Sequence, residues 1–429
     1  MSKFQIVLTS IFGILIVFAV FTFALYRGNS ATQSQITIWG SFPSQYLSSI
    51  INNELNRRGD ISFTYVEKNE ETLGQEFTEA LSEGGGPDLL LISQEELWGL
   101  KGKLLPIPYT NITERTFRES FAEGGEIFLL PDGIAALPLS IDPMILYYNR
   151  DLLSAQGIAK PIGYWDEIYA ASGKLTRRDS AGNIIQSVMA LGEASNIGNF
   201  KELLSLLFLQ AGTDITAMGG SEGRELRSIL AVNPGLPISP ADAALDFYTQ
   251  FANPAKNYYS WNRTLTDAQT NFALGESAYY AGFASELPVI RSKSSTLNLG
   301  FSLIPQSRIN QRVITYGRIY GLAISRGTKN PDASLEAARR IIARDIAKSL
   351  SEFTALPPVR RDLLSSRPKE ADASLFYDAA LQAHGWLDPN PEGSRAVFKE
   401  AVESVTSGRA RTSSAINEAS RRLETLIKN

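Results

Sequence analysis

Between Ile36 and Ile92 the chain alternates strand-like and helix-like segments, and this alternation restricts its fold more than any other feature. Ile36-Thr37-Ile38-Trp39 is a short β-rich run, followed by the turn residues Gly40 to Pro43. Ser44 is an N-cap for a helix to Arg57 that places Tyr46, Ile50, Ile51 and Leu55 on one face. Gly59-Asp60 stops that helix, and ISFTYV from Ile61 reads as a second strand. A helix over 71–81 follows, then Gly84-Gly85-Gly86-Pro87 and the apolar run to Ile92. Strand, helix, strand, helix, strand at this spacing, with nearly continuous apolar strands, predicts a parallel sheet covered on both faces. Ligands of such sheets bind beyond the carboxyl ends of the strands. The loops at 41–44 and 93–96 therefore share one rim.

The rest of the chain reads as mostly helical. Helical periodicity covers 165–174 and 200–210, and Asn330-Pro331 starts a helix expected to run to about Ser351. Three more helices fit 374–383, 394–405 and 413–427. At the other end, Phe4 to Tyr26 contains no charged residue. A helix of that length spans about 34 Å, enough for a hydrocarbon core of roughly 30 Å. The run exceeds a typical signal-peptide core, and Ala24-Leu25-Tyr26 is a poor cleavage site, so an uncleaved membrane anchor is expected over a cleaved signal. Gly28–Gln35 then serves as a polar tether.

Composition narrows the chemistry. The 429 residues include no cysteine and one histidine, His384, with 41 Lys+Arg against 45 Asp+Glu, a net charge of −4. Disulfides, thiolate metal sites and cysteine nucleophiles are excluded, and a multi-histidine metal site is impossible. The slightly acidic balance argues against nucleic acid as a partner. Neither a metal nor a cofactor is expected.

Each candidate motif has a plainer reading beside it. The glycines at 84–86 precede a strand, whereas a phosphate cradle precedes a helix, so they read as a turn. Glu95, Glu96 and Asp142 offer the carboxylates of a glycosidase, yet ordinary solvated acids are more common and no spacing fixes a pair. His384 lies in a polar stretch and reads as surface structure. Aromatics are more informative: Trp39, Trp165, Trp261, Phe283, Tyr316 and Trp386 all sit in polar, turn-like contexts. Aromatic rings with a polar edge suit stacking on sugar faces, although such residues more often belong to a core.

Four stretches, in order, resemble the family 1 extracellular solute-binding proteins of ABC importers, the group that includes maltose-binding protein. They are ITIWGSF with the later GGGPDLLLIS; LPLSIDPMILYYNRDLLSAQGI with YWDEIYAASGKLT; FALGESAYYAGFAS; and YGRIYGLAISRGTKNPDASLEAARRII with ALPPVR and VTSGRARTSSAINEA. Together they span about residues 34–428. Two departures stand out. The family's usual methionine and tryptophan in the third stretch are replaced by Tyr279 or Tyr280 and Phe283-Ala284, and no lipid-attachment cysteine is present.

The resemblance implies an α/β chain with a two-lobed type II periplasmic-binding-protein fold, each lobe a mainly parallel sheet flanked by helices, behind one N-terminal transmembrane helix. Residues 1–33 would be anchor and tether, 34–140 plus 322–362 the N-lobe, and 143–318 plus 368–429 the C-lobe. The implied function is binding without catalysis: an anchored extracytoplasmic protein on the bacterial membrane captures a sugar or oligosaccharide and hands it to ABC permease subunits. A ligand-sensing ectodomain for a signalling partner and a carbohydrate-active enzyme stay open as alternatives. Matching the family's segments, the implied ligand contacts are Ser41, Phe42, Gln94, Glu95 and Asp142 from one side. From the other they are Asn196, Trp261, Phe283, Ser285, Tyr316, Arg318 and Trp386.

Overall fold

A computed structural model describes residues 4, 9, 11–18, 34–56, 59–220, 223–309 and 312–428. Residues 11–18 are helical with exposed apolar side chains. Most of the expected anchor and tether lies outside the described residues, among which no helix is long and apolar enough to cross a membrane.

The predicted alternation forms as read. Strand β1 (Ser34–Gly40) pairs in parallel with β2 (Ile61–Glu67) and with β3 (Leu89–Ser93). Helix α1 (Ser44–Ile50) continues as a π-helical turn, Ile51–Leu55, and α2 (Leu73–Ser82) precedes the glycine turn. In that turn Gly84 and Gly86 have φ of 75° and 109°, a left-handed backbone that side chains resist. Asp88 then locks the start of β3, accepting from Thr37 N at 2.9 Å and from Thr328 Oγ1 at 2.6 Å. It is a structural turn, as the order of glycines and strand implied.

Two long strands join everything else. β4 (Leu137–Asn149) is buried except at Tyr148, and β8 (Thr315–Ser325) except at Arg318. They pair antiparallel from Gly317↔Pro143 to Leu322↔Leu137, with a register shift between Tyr320 and Gly321. The far end of β8 pairs with β3, Tyr320↔Ser93 to Ile324↔Leu89. The far end of β4 pairs with β6 (Ser277–Phe283) and with β7 (Leu299–Ser302), and β6 pairs with β5 (Ile184–Met189). Beyond them, β9 (Ala383–His384) lies beside Thr315 and Tyr316. A third segment runs alongside: Pro357 O accepts from Ile141 N at 2.9 Å, and Val359 N donates to Leu139 O at 3.1 Å.

The sheet corrects one expectation. It is mixed: in the second half β6 is parallel to β5 but antiparallel to β4, β9 is parallel to β8, and β8 enters the first half antiparallel to β3. The cause is that β4 and β8 traverse both halves in opposite senses, so each half receives strands of both directions. A second correction concerns the helix expected from Asn330 to Ser351. It is two helices, α5 (Pro331–Ile341) and α6 (Arg344–Thr354), broken where Ala343 turns extended. Arg360 Nη1 donates to the released Ile342 carbonyl at 3.3 Å.

Helix α4 (Phe200–Ala211) is buried along nearly its whole surface, as a helix apolar all round must be. The last two helices, α7 (Pro391–Thr406) and α8 (Thr412–Lys428), pack on each other and on the helix Pro240–Thr249.

Helix α3 (Gln94–Leu100) begins directly at the end of β3, and Glu96 reaches back to accept from Ser93 N at 3.2 Å. Burial, with the nearby Glu70 charge, pushes the Glu96 carboxyl from 4.5 up to about 8. A carboxyl raised in this way favours the fold below its unfolded value and loses that contribution as pH rises through the folded one. Glu96→Gln keeps the cap but cannot ionise. Thermal unfolding should show no gain near pH 5 and a gain of about 1–2 kcal/mol near pH 9, after allowing for solvent screening of a half-buried group. An equal effect at both pH values would remove this assignment.

Candidate functional site

Where the two halves of the sheet meet, four elements bring charged side chains into one buried seam. Glu95 comes from the first turn of α3, and Lys201 and Glu202 from the first turn of α4. Tyr316 and Arg318 come from β8, and Trp386 to Asp388 from the segment after β9. Lys201 Nζ lies 2.9 Å from Asp388 Oδ2 and 3.4 Å from Glu95 Oε2. Tyr316 OH donates to Glu95 Oε1 at 2.6 Å. Asp388 also accepts from Ser394 Oγ at 2.6 Å and from Asn390 N at 3.0 Å.

Burial works against every charge here: at Glu95 and Lys201 the partners outweigh it, whereas at Asp388 burial outweighs Lys201 and Ser394 and raises the carboxyl above its usual value. It acts to raise Glu95, but the Lys201 and Arg318 charges and the Tyr316 hydroxyl outweigh it and hold the carboxyl below its usual value. Burial acts to lower Lys201, and Glu95 with Asp388 outweigh it in the same way, so the ammonium stays charged. A buried ion pair of this kind adds little net stability, whereas removing one partner costs about 3–5 kcal/mol.

Arg318 is the second cation. Its guanidinium lies 4.2 Å over the Phe283 ring, and Nη2 is 3.4 Å from Glu202 Oε1. Phe283 in turn meets Tyr316 edge-on at 6.2 Å. The seam's hydrogen bonding is incomplete. Glu202 Oε2, Arg318 Nε, Trp386 Nε1 and Ser205 Oγ are buried without a partner among the described residues. Native proteins rarely leave such groups unmatched.

The structure brings together Glu95, Phe283, Tyr316, Arg318 and Trp386 of the sequence-derived set. Other members are engaged elsewhere. Gln94 is enclosed, its amide oxygen accepting from Ile319 N at 2.6 Å and its nitrogen donating to Gly317 O at 3.3 Å. Asp142 accepts from Ser285 N at 3.0 Å and from Ser285 Oγ at 2.5 Å, so these two hold each other. Burial lifts the Asp142 carboxyl to about 6 against those bonds. Phe42 is buried edge-on to Tyr320 at 4.9 Å beside the half-buried Ser41, a contact that joins the first rim loop to the middle of β8. Trp261 is wholly buried and donates to Asn196 Oδ1 at 3.0 Å, while Asn196 Nδ2 donates to Asn262 O and Leu265 O. That pair braces a loop, and no hydrogen bond or ion pair among the described residues ties it to the seam.

Lys201, Glu202, Ser205 and Asp388 escaped the sequence reading. A signal for the first two was present: FKELLSLLFLQA is apolar on every face, so charges in its first turn are carried inside with it.

Comparison with known proteins agrees with this geometry. A family model for bacterial extracellular solute-binding proteins matches residues 51–377. A mannitol-binding protein of Pseudomonas aeruginosa is 24% identical over 366 residues, covering 81% of this chain and 78% of that one. A cyclo/maltodextrin-binding protein solved with maltotetraose superposes with a TM-score of 0.74 at 15% identity, over 93% of this chain and 98% of its own. An ABC transporter solute-binding protein of Thermotoga lettingae, solved with α-D-tagatose, gives 0.67 at 18% identity, over 92% and 100%. With two α/β halves joined by crossing strands and a polar seam between them, the chain belongs to the bacterial extracellular solute-binding proteins, which work outside the cytoplasm.

Proposed function

We propose that this protein is the extracytoplasmic binding component of an ABC importer, capturing a carbohydrate between two closing lobes and delivering it to a membrane permease. The carrying observation is the seam itself, where Glu95 meets Lys201 and Tyr316 across the two halves while four buried polar atoms of the seam elements lack partners among the described residues. The relatives that bind mannitol, maltotetraose and tagatose support a polyhydroxyl ligand. The lobes in this reading are residues 34–140 plus 322–362 and 143–318 plus 368–429. The apolar run from Phe4 to Tyr26 would hold the protein at the membrane.

Among the residues first considered, Glu95, Phe283, Tyr316, Arg318 and Trp386 face the ligand in this reading, joined by Lys201, Glu202, Ser205 and Asp388. Ser41 and Phe42 edge the opening, and Gln94, Asp142 and Ser285 fix the elements that carry the contacts. Asn196 and Trp261 support the fold of the second lobe. The mechanism is binding: closure brings Glu95 to Lys201 and Tyr316 around the solute, and ligand binding must favour that closed form to shift the population.

Small-angle scattering tests closure. A saturating sugar that the protein binds, from a panel of alditols and maltooligosaccharides, should reduce the radius of gyration. Tight binding with unchanged scattering would remove the hinge mechanism.

The two tryptophans should separate. Trp261→Ala leaves a cavity and should lower unliganded stability by about 3–5 kcal/mol. Trp386→Phe keeps a ring against Phe398 but removes the free N–H, so it should weaken sugar affinity by about tenfold, the worth of one hydrogen bond of ~1.4 kcal/mol, with the unliganded melting temperature little changed. Unaltered affinity in that variant would take Trp386 out of the binding surface.

A further inference from the structure

An unmatched donor and an unmatched acceptor sit on the two members of one ion pair. Arg318 Nη2 and Glu202 Oε1 are 3.4 Å apart, and Arg318 Nε and Glu202 Oε2 are buried without partners among the described residues. We propose that this pair reads two adjacent hydroxyls of an uncharged sugar or polyol, and that the carboxylates around it exclude sugar acids and sugar phosphates. The inference rests on the carbohydrate reading above and names the class of carbohydrate.

The chemistry follows from the two atoms. A hydroxyl both donates and accepts, so one hydroxyl donates to Glu202 Oε2 while its neighbour accepts from Arg318 Nε. Hydroxyls on adjacent carbons answer a donor and an acceptor carried on paired side chains. Trp386 Nε1 supplies one more donor, and Ser205 Oγ, one turn along α4 from Glu202, can act in either sense. Carboxylates accept only, and ionised phosphates accept far more than they donate, so neither satisfies Glu202 Oε2.

Charge gives the exclusion. The seam holds two cations, Lys201 and Arg318, against three carboxylates, Glu95, Glu202 and Asp388. Both cations already face carboxylates, so an incoming anion finds no positive charge left over. Glu202 is 3% exposed and Lys201 2%, which leaves little water to screen the repulsion.

Isothermal titration of the full chain at neutral pH decides it, with D-mannitol, D-glucose and maltose compared with D-glucuronate, D-gluconate and glucose phosphate. Uncharged members should bind, and anionic ones should be weaker by about 100-fold or more, the discrimination expected of an uncompensated buried charge. Glu202→Gln removes the charge while keeping an acceptor, and should narrow that ratio by about tenfold or more. A purely structural role for Glu202 would weaken both classes equally. Should Glu202→Gln not fold, the wild-type ratio alone decides. A sugar acid or phosphate bound within about tenfold of its uncharged counterpart overturns the inference while leaving the carbohydrate reading intact. Binding of no sugar, with uptake of an unrelated solute such as an amino acid, overturns both.

Discussion

The antiparallel pairing of β4 with β8 is the constraint on which the remaining architecture depends. Each strand is long enough to serve both halves, and each is buried almost throughout. Backbone groups in so dry a place must be satisfied by neighbouring strands, and the ladder does this from Gly317↔Pro143 to Leu322↔Leu137. Side chains on the two strands must be largely apolar, and they are, apart from Ser140, Asp142, Asn149, Thr315, Arg318, Ser325 and the tyrosine hydroxyls. Thr315 Oγ1 donates to Met144 O at 2.7 Å, and Asp142 is held by Ser285. Ser140 Oγ lacks a partner among the described residues, and Arg318 is the exception by charge, drawing its ion pair from Glu202 outside the two strands.

That exception organises the seam. A guanidinium cannot shed its proton, so burying it demands anions and an aromatic face, which Glu202 and Phe283 provide. The same helix turn delivers Lys201, a cation at the electropositive end of a helix, which is an unfavourable place for it. Glu95 and Asp388 offset both that field and the loss of water. One of these anions belongs to the opposite half of the sheet, so the charges are fully matched only when the halves meet. A seam made of apolar residues would adhere regardless of its contents. One made of ion pairs depends on every partner being in place.

The local features were legible in the sequence because their causes are local. Apolar periodicity and turn residues located β1 to β3, the glycine turn and, to within a few residues, most of the helices read from sequence; several others, such as Gln94–Leu100 and Pro240–Thr249, were not read. What else escaped reading involves partners distant in the chain. Nothing within residues 89–93 announces that β8 will lie beside them in the antiparallel sense. The break in α5–α6 leaves good helix formers on both sides, and only the Arg360 contact to Ile342 shows how it is accommodated. Trp261 looked exposed because Asn262 and Arg263 follow it, yet its polar edge is satisfied internally by Asn196. Asp388 is unremarkable in sequence and meets Lys201 only in the fold.

The placement of β8 also bears on how the chain is made. Leu89–Ser93 is a wholly buried apolar strand, LLLIS, with one edge on β1 and the other on β8. Residues 34–93 can form their three parallel strands early in synthesis, but the strand that covers β3 ends only at Ser325. Until then a hydrophobic edge with unpaired backbone groups stays open, the arrangement that invites mispairing with other chains. Such late, long-range closure is intrinsically slow. A nascent copy therefore spends most of its elongation as an incomplete sheet, and its yield depends on whatever keeps that edge solitary until β8 arrives.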